Sequence, residues 1–264
     1  MTASGHPGAD GRIGLEVEAQ VATIVLDRPA KHNAITPSMA VALADACREV
    51  DRRDDVRVVL IRGAGERAFS AGSDLNALAE DRGVWAFRNR VEYAAVVREI
   101  RKPVVALLHG WVLGGGLEIA IAADVRIAGR SARLGAPEVQ RGWVGGGGAS
   151  QMLPRLIGAG RAMHMLLGGE PVSAEHALHI GLVEEVLDDA EAQMRARAYA
   201  RQLATLSPVA TQAVKAAVRA ALEMPLGAGI RYENELHVVC MQSQGRSEGI
   251  KAFQQKRSAT FDGK

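Results

Sequence analysis

Two glutamates stand beside turns that could bring them to a substrate, and they are the residues of this sequence best suited to proton transfer. Glu118 follows the run Gly114-Gly115-Gly116-Leu117, and Glu138 follows Pro137 twenty residues later. A carboxylate among apolar neighbours costs free energy unless it is paired or protonated. Each acid is therefore either a first-turn partner of a helix dipole or a working acid or base.

Two glycine-bearing turns could present backbone N–H groups to a ligand. One contains Ala71, Gly72, Ser73 and Asp74, and the other is the triple glycine 114–116. Glycine allows positive φ and a close backbone approach, and the N-terminus of a helix favours negative charge. Each turn by itself is also compatible with an ordinary loop. Only the combination of both turns with the two acids makes a ligand site the better interpretation.

The segments around these turns predict an α/β fold in which strands alternate with helices. Thr36 and Pro37 are typical of a helix start, because the hydroxyl can cap the helix and proline is tolerated at its first position. The polar stretch 75–83 is predicted to be a loop. The predicted strands are 21–26, 56–61, 104–108, 124–128 and 182–187, and the predicted helices before residue 188 are 37–50, 93–100, 117–123, 152–157, 161–167 and 173–180.

Strand patterns end near residue 188, which indicates that the C-terminal part of the chain is helical. Helical periodicity covers 190–206, 209–222, 230–242 and 247–256. We therefore expect a disordered leader in residues 1–12, an α/β core in 13–200 and a helical region in 201–264. Such a region commonly packs on a neighbouring subunit, which favours an oligomer.

Composition argues against several classes of partner. The net charge is +2 and aromatic residues make up 4% of the chain, so neither a nucleic-acid surface nor a base-stacking platform is expected. The sequence shows neither an apolar run of membrane-spanning length nor the apolar core of a signal peptide, which favours a cytoplasmic protein without membrane contact. Cys47 and Cys240 are interpreted as buried thiols rather than as a disulfide or a metal site.

In combination, the ordered motifs resemble the crotonase superfamily, the enoyl-CoA hydratase and isomerase family. Ala-Gly-Ser-Asp-Leu at 71–75, Gly-Gly-Gly-Leu-Glu at 114–118 and Pro-Glu at 137–138 carry the resemblance. It runs from about Leu15 to the C-terminus, with further matches at 26–29, 33–34, 169–174, 181–183, 252–253 and 256–257. The resemblance implies an α/β fold, a crotonase-like spiral of β-β-α units, with a C-terminal helical oligomerisation region that builds trimers or hexamers.

The resemblance also implies an acyl-CoA thioester as substrate, with coenzyme A as part of that substrate and no separate cofactor or metal. By position, the N–H groups of Ala71 and Gly115 would form an oxyanion hole for the thioester oxygen. Glu118 and Glu138 would act jointly as catalytic acid and base. The implied substrate-binding residues are Ala71, Gly72, Ser73, Asp74, Gly114 and Trp143, and the candidates for binding coenzyme A are Arg28, Lys31, Phe253 and Lys256, with Arg257 beside them.

Hydration of a 2-trans-enoyl-CoA to the 3-hydroxyacyl-CoA is the activity that the two glutamates favour. A 3,2-enoyl-CoA isomerase is the nearest alternative, since Glu138 alone could shuttle the proton. Another lyase of the family and a non-catalytic acyl-CoA-binding protein also remain open. Three departures from the family pattern bear on the substrate: Gly145 replaces a frequent proline, Trp143 is bulky, and the segment 75–91 is short for a substrate lid.

Overall fold

The computed structural model describes residues 11–80 and 83–263, in which two β-sheets are surrounded by helices. The strands are β1 (Arg12–Glu18), β2 (Val21–Asp27), β3 (Val58–Gly63), β4 (Ala68–Ser70), β5 (Val104–Leu108), β6 (Trp111–Leu113), β7 (Val125–Gly129), β8 (Arg133–Gly135), β9 (Val172–Ser173) and β10 (Glu185–Leu187). The larger sheet has the order β1-β2-β3-β5-β7-β10, and the smaller has the order β4-β6-β8-β9.

Helices connect these strands and then form the C-terminal part of the chain. Within the described residues they are α1 (Pro37–Arg52), α2 (Leu75–Ala79), α3 (Gly83–Arg88), α4 (Tyr93–Glu99), α5 (Gly115–Ala122), α6 (Ala149–Ile157), α7 (Ala159–Gly168), α8 (Ala174–His179), α9 (Asp189–Ala204), α10 (Pro208–Ala221), α11 (Leu226–Gln242) and α12 (Gln244–Gln254). Short 3-10 helices cover Pro29–Lys31 and Pro137–Arg141.

Side-chain caps decide where several helices begin. The start predicted for α1 is confirmed, because the Thr36 side chain accepts a hydrogen bond from the Met39 N–H and Pro37 is the first helical residue. The loop predicted over 75–83 is wrong at its beginning, where α2 forms. The Asp74 carboxylate accepts hydrogen bonds from the N–H groups of Asn76 and Ala77 and so initiates this short helix.

Strand β1 lies at the edge of the larger sheet and was not predicted. It pairs antiparallel with β2, with Arg12 opposite Asp27, through a turn in which Ala19 and Gln20 have positive φ. Strand pairing therefore already includes Arg12, the last residue of the expected disordered leader. Gly11 is also described, with a positive φ. Residues 1–10 of the expected leader lie outside the described part of the chain.

From β3 onward the chain places one strand in each sheet before it forms a helix. Strands β3, β5 and β7 are parallel neighbours in the larger sheet, and β4, β6 and β8 follow them as parallel neighbours in the smaller sheet. This repeat is the winding of β-β-α units that the resemblance implies. Because β4 and β6 are adjacent and parallel, the turns that follow them lie side by side.

The larger sheet is buried on both faces, as expected for parallel strands. Side chains of β2, β3 and β5 pack on one face against α1, α4 and α5, and the other face is covered by α9. Helix α9 contributes alanines at four-residue spacing, all of them buried: Ala192, Ala196, Ala200 and Ala204. The boundary expected after residue 200 falls within α9, whose buried face continues to residue 204.

Asn33 ties the end of β2 to the turn between β3 and β4. Its fully buried amide nitrogen donates hydrogen bonds to the carbonyls of Ala64 (2.9 Å) and Ala68 (2.7 Å). Its side-chain oxygen accepts a hydrogen bond from the Arg28 N–H (2.9 Å), and its own carbonyl accepts one from the Ser70 hydroxyl (2.8 Å). One side chain therefore fixes the chain segment that leads into the 71–74 turn.

We predict that Asn33→Ala lowers the free energy of unfolding by about 2–3 kcal/mol, because buried carbonyls and an N–H lose their partner. Thermal unfolding followed by circular dichroism measures the change. Asn76→Ala, at an exposed position on α2, serves as the matched control and should change stability by less than about 0.5 kcal/mol. Equal stability of Asn33→Ala and the wild type would contradict this account of the turn.

Of the helices described, none combines the length and the apolarity needed to cross a bilayer. Cys47 is buried, and burial raises the pKa of its thiol to about 12. Cys240 is only half-buried, so the prediction of two buried thiols is correct for Cys47 alone.

Candidate active site

Helix α5 carries Glu118 into the protein interior beside the glycine loop, which we define as residues 145–148. Glu118 is 4% exposed. Its Oε1 accepts hydrogen bonds from the N–H of Gly147 (2.7 Å) and from that of Ala149 (3.2 Å). Donors at the start of α6 therefore hold a buried carboxylate, and Glu118 is not a surface helix cap.

Glu138 faces the same space as Glu118. A Cβ atom on Gly145 would lie 2.8 Å from Glu118 Oε1 and 3.5 Å from Glu138 Oε1, and one on Gly114 would lie 3.0 Å from Glu138 Oε1. The absence of a side chain at 145 therefore leaves room between the two carboxylates. A proline at this position would press its Cβ against Glu118.

Burial raises the pKa of both carboxyl groups. For Glu118 the largest cause is desolvation, which the charge of Glu138 reinforces and the hydrogen bonds from Ala149 and Gly147 oppose. For Glu138 desolvation is again the largest cause. Such a pair can hold a single proton at higher pH than two ordinary glutamates would, which suits one acid and one base in the same site.

The two glycine-bearing turns lie in contact, as expected. In the first turn, however, the N–H group left for a ligand is that of Ser73 and not that of Ala71. A Cβ on Gly72 would lie 2.7 Å from the Gly115 nitrogen, so the two backbones touch. The N–H of Ala71 donates to the His32 carbonyl (2.9 Å), and the prediction that Ala71 supplies a donor to a ligand is therefore corrected. Among the described residues, nothing accepts a hydrogen bond from the N–H of Ser73 or of Gly115.

Tyr93 is a residue of this site that was predicted only to begin the helix 93–100, on the face that also carries Val96, Val97 and Ile100. Its hydroxyl forms a hydrogen bond with the Ser73 hydroxyl (2.7 Å). A Cβ on Gly115 would lie 1.8 Å from the Tyr93 hydroxyl oxygen, so glycine is required at 115 to admit the ring. Burial raises the pKa of Tyr93 and keeps it protonated. Tyr93 is the polar residue on a helix face whose other members are Val96, Val97 and Ile100.

Arg98 holds the glycine loop from the side of α4, and no sequence pattern pointed to it. Its guanidinium donates to the Gly147 carbonyl (3.0 Å), and a Cβ on Gly148 would lie 3.2 Å from two of its nitrogens. Arg219 of α10 in turn donates to the Arg98 carbonyl. The loop that carries a donor to Glu118 is thus connected to the C-terminal helices.

The remaining predicted site residues divide into two groups. Asp74 and Arg28 form a largely buried ion pair, and Asp74 also caps α2, so both side chains have structural partners. Trp143 is half exposed and follows the 3-10 helix that carries Glu138. Lys31, Phe253 and Lys256 are exposed, and no hydrogen bond or ion pair in the described part of the chain joins their side chains to the two glutamates.

The residues that the structure describes contain no group of three or more His, Cys, Asp or Glu side chains arranged to hold a metal ion.

We predict that Glu118→Gln stabilises the protein at pH 8. Because burial raises the folded-state pKa of Glu118 above its unfolded value of about 4.3, the charged carboxylate destabilises the fold above the folded pKa. That penalty declines as the pH falls and is absent below pH 4. Glutamine can still accept both loop hydrogen bonds through its oxygen. Thermal unfolding should show a gain of about 1 kcal/mol, or about 2–4 °C, at pH 8 and none near pH 4; a loss at pH 8 would contradict this assignment.

We predict that Gly147→Ala displaces Glu118, because the added Cβ would lie 2.4 Å from Glu118 Oε2 and 2.8 Å from Glu92 Oε1. A reaction that depends on Glu118 should slow by about 10²-fold, the usual scale of general acid–base catalysis. Gly160→Ala on α7 is the matched control, because a Cβ there meets nothing within 4 Å. Retention of full activity by a folded Gly147→Ala protein would show that the loop does not position Glu118.

Comparisons with known proteins agree with this geometry. A family model described as enoyl-CoA hydratase/isomerase matches residues 16–264. The chain is 36% identical to (E)-benzylidenesuccinyl-CoA hydratase of Thauera aromatica, over 95% of this chain and 99% of that protein. It is 35% identical to 2,3-dehydroadipyl-CoA hydratase of Escherichia coli, over 94% of this chain and 97% of that protein. The crystal structure of an enoyl-CoA hydratase from Bacillus anthracis superposes with a TM-score of 0.89 at 31% identity, covering 96% and 99% of the two chains.

Two sheets wound from β-β-α units and followed by C-terminal helices define a crotonase fold. The chain belongs to the enoyl-CoA hydratase/isomerase family, also called the crotonase family. Members of this family act on acyl-CoA thioesters, which agrees with the class of substrate that the motifs implied.

Proposed function

We propose that this protein is an enoyl-CoA hydratase, which adds water across the 2,3 double bond of a 2-trans-enoyl-CoA to form the 3-hydroxyacyl-CoA. The observation that carries the proposal is the pair Glu118 and Glu138, whose carboxylate oxygens both border the position of a Gly145 side chain. Water addition needs a base and an acid on one reacting unit, and two carboxyls with raised pKa values suit those roles.

The thioester oxygen would be held by the N–H groups of Ser73 and Gly115. Attack of water at C3 moves electrons toward the carbonyl and places negative charge on its oxygen. Fixed backbone donors stabilise such an enolate, and losing one donor of this kind costs about 10²–10³ in rate in other enzymes. The contact between Gly72 and Gly115 and the Tyr93–Ser73 hydrogen bond would keep the two donors in place.

The glutamate pair would handle both protons of the reaction. The water oxygen forms its bond to C3 as one carboxylate takes a proton from that water. The other, protonated carboxyl group delivers its proton to C2, so that H and OH are added and the pair keeps one proton. We assign the two roles to the pair jointly, because coupled carboxyls share their titration.

Similar proteins support hydration over the alternatives. The two relatives named above are both hydratases of CoA thioesters by name. An isomerase needs a single proton-shuttling acid, for which Glu138 would suffice, whereas here Glu118 is also held in the site by two backbone donors. A protein that only binds acyl-CoA would not require either desolvated acid.

We also propose that the chain assembles into trimers or hexamers through its C-terminal helices. Coenzyme A would contact Lys31, Phe253 on α12 and Lys256, which follows α12. The support is the number of exposed apolar side chains on these helices, since a monomeric protein usually exposes such residues singly. They lie on α10, α11 and α12 and are Val214, Val218, Leu226, Ile230, Val239 and Phe253.

The proposed activity is tested with crotonyl-CoA by following the loss of the conjugated thioester absorbance. We expect turnover by the wild type and a fall of at least about 10²-fold in kcat for Glu118→Ala and for Glu138→Gln. Glu191→Gln, an exposed acid on α9, is the control and should retain full activity. Hydration that survives in both site variants would contradict the mechanism, and conversion of a 3-enoyl-CoA to its 2-enoyl isomer without hydration would establish the isomerase instead.

A further inference from the structure

Arg90 lies between α3 and α4 and places its guanidinium on the glycine loop. A Cβ on Gly146 would lie 2.6 Å from Arg90 Nη2. Its Nη1 donates to the Phe87 carbonyl (2.9 Å), and its guanidinium carbon is 4.2 Å from the centroid of the Phe87 ring. The side chain is thus folded back over the loop, although it belongs to an exposed segment.

This cation is close to the reacting groups of the proposed hydratase. Gly146 lies between Gly145, which borders both glutamates, and Gly147, which donates to Glu118. Consecutive Cα atoms are about 3.8 Å apart, so Arg90 Nη2 lies within about 12 Å of the Glu118 carboxylate. A group on the acyl chain a few carbons beyond C3 could therefore reach the guanidinium.

Two acids near the glycine loop, Glu118 and Glu92, already accept hydrogen bonds from backbone N–H groups, and neither forms an ion pair with Arg90. Glu118 accepts from the loop itself, and Glu92 accepts from the N–H groups of Ala94 and Ala95. Within residues 11–80 and 83–263, no carboxylate forms an ion pair with Arg90. A guanidinium offers a planar set of donors that fits a carboxylate with two parallel hydrogen bonds.

The surroundings of Arg90 suit an acyl chain that is apolar along its length and charged at its end. Trp85 and Phe87 on α3 are exposed by 72% and 53%, and Trp143 and Val144 before the loop are exposed by 43% and 72%. Phe87 stacks on Arg90, and Trp143 and Val144 directly precede the glycine loop that Arg90 contacts, so exposed apolar side chains belong to both segments.

We propose that Arg90 is a specificity-determining residue that binds a carboxylate on the distal end of the acyl chain. The substrate class is then a 2-enoyl-CoA that carries a second, terminal carboxylate. This inference rests on the proposed hydratase function and refines its substrate. It assigns Arg90 to recognition and not to the proton transfers, which belong to Glu118 and Glu138.

The test compares two substrates of equal length, trans-2-hexenoyl-CoA and 5-carboxypent-2-enoyl-CoA, in which a carboxylate replaces the terminal methyl group. We expect the wild type to prefer the carboxylated substrate by at least about tenfold in kcat/KM. Arg90→Gln should reduce that ratio by about tenfold, mainly through KM, and Arg90→Lys should restore part of it. Arg88→Gln, which removes an exposed arginine stacked on Trp85, is the matched control and should keep the wild-type ratio.

The outcomes separate recognition from a structural role of Arg90. If Arg90→Gln lowers both rates equally and keeps the ratio, or if the wild type prefers hexenoyl-CoA, the inference is wrong while the hydratase proposal stands. If neither substrate is hydrated, the hydratase proposal fails, and calorimetric binding of adipyl-CoA and hexanoyl-CoA decides the role of Arg90. Tighter binding of adipyl-CoA that Arg90→Gln abolishes would support the inference, and equal binding of the two would overturn it.

Discussion

The rest of the site depends on the two hydrogen bonds that Glu118 Oε1 accepts from the N–H groups of Gly147 and Ala149. They hold a buried carboxylate in one orientation with neutral donors, and among the residues that the structure describes no ion pair with Glu118 offsets its charge. Desolvation therefore still raises its pKa. The arrangement explains why the loop is built from glycines, because a Cβ at 145 or 147 would press on the carboxylate. An acid that is both fixed and desolvated is suited to exchanging protons with a substrate.

The winding of the chain between two sheets brings the other components to this acid. Adjacent parallel strands β4 and β6 place the turns after them in contact, so that Gly72 meets Gly115. Asn33 secures the approach to the first turn, and Tyr93 from α4 links Ser73 to the space above Gly115. The Asn33 hydrogen bond is buried, and the Tyr93–Ser73 hydrogen bond is partly buried. These contacts fix the turns that would hold the proposed thioester oxygen, whereas Trp85 and Arg90 are exposed.

Much of this architecture could be predicted from local patterns, and the errors have identifiable physical causes. Runs of apolar β-branched residues located the buried strands β2, β3, β5 and β7, and the cap at Thr36 located α1. Strand β1 escaped notice because an edge strand alternates and is only partly buried. Helix α2 escaped because its cap, Asp74, had been interpreted only as a substrate contact. The motifs predicted Glu118, Glu138 and Gly115 as site residues, but the choice of Ser73 over Ala71 as the proposed donor required the His32–Ala71 hydrogen bond, which links residues 39 positions apart. Arg98 and Arg90 act across tertiary contacts, and no sequence spacing reveals such contacts.

The central claim is that Glu118 and Glu138 work as one desolvated pair that shares a proton. The pH dependence of kcat/KM for crotonyl-CoA hydration tests this claim most directly. If the account is correct, the profile is bell-shaped, and its acidic limb has an apparent pKa above the ordinary glutamate value of about 4.3. The activity then falls again at higher pH, as the pair loses its remaining proton. A rate that stays constant from pH 4 to pH 9 would contradict the account.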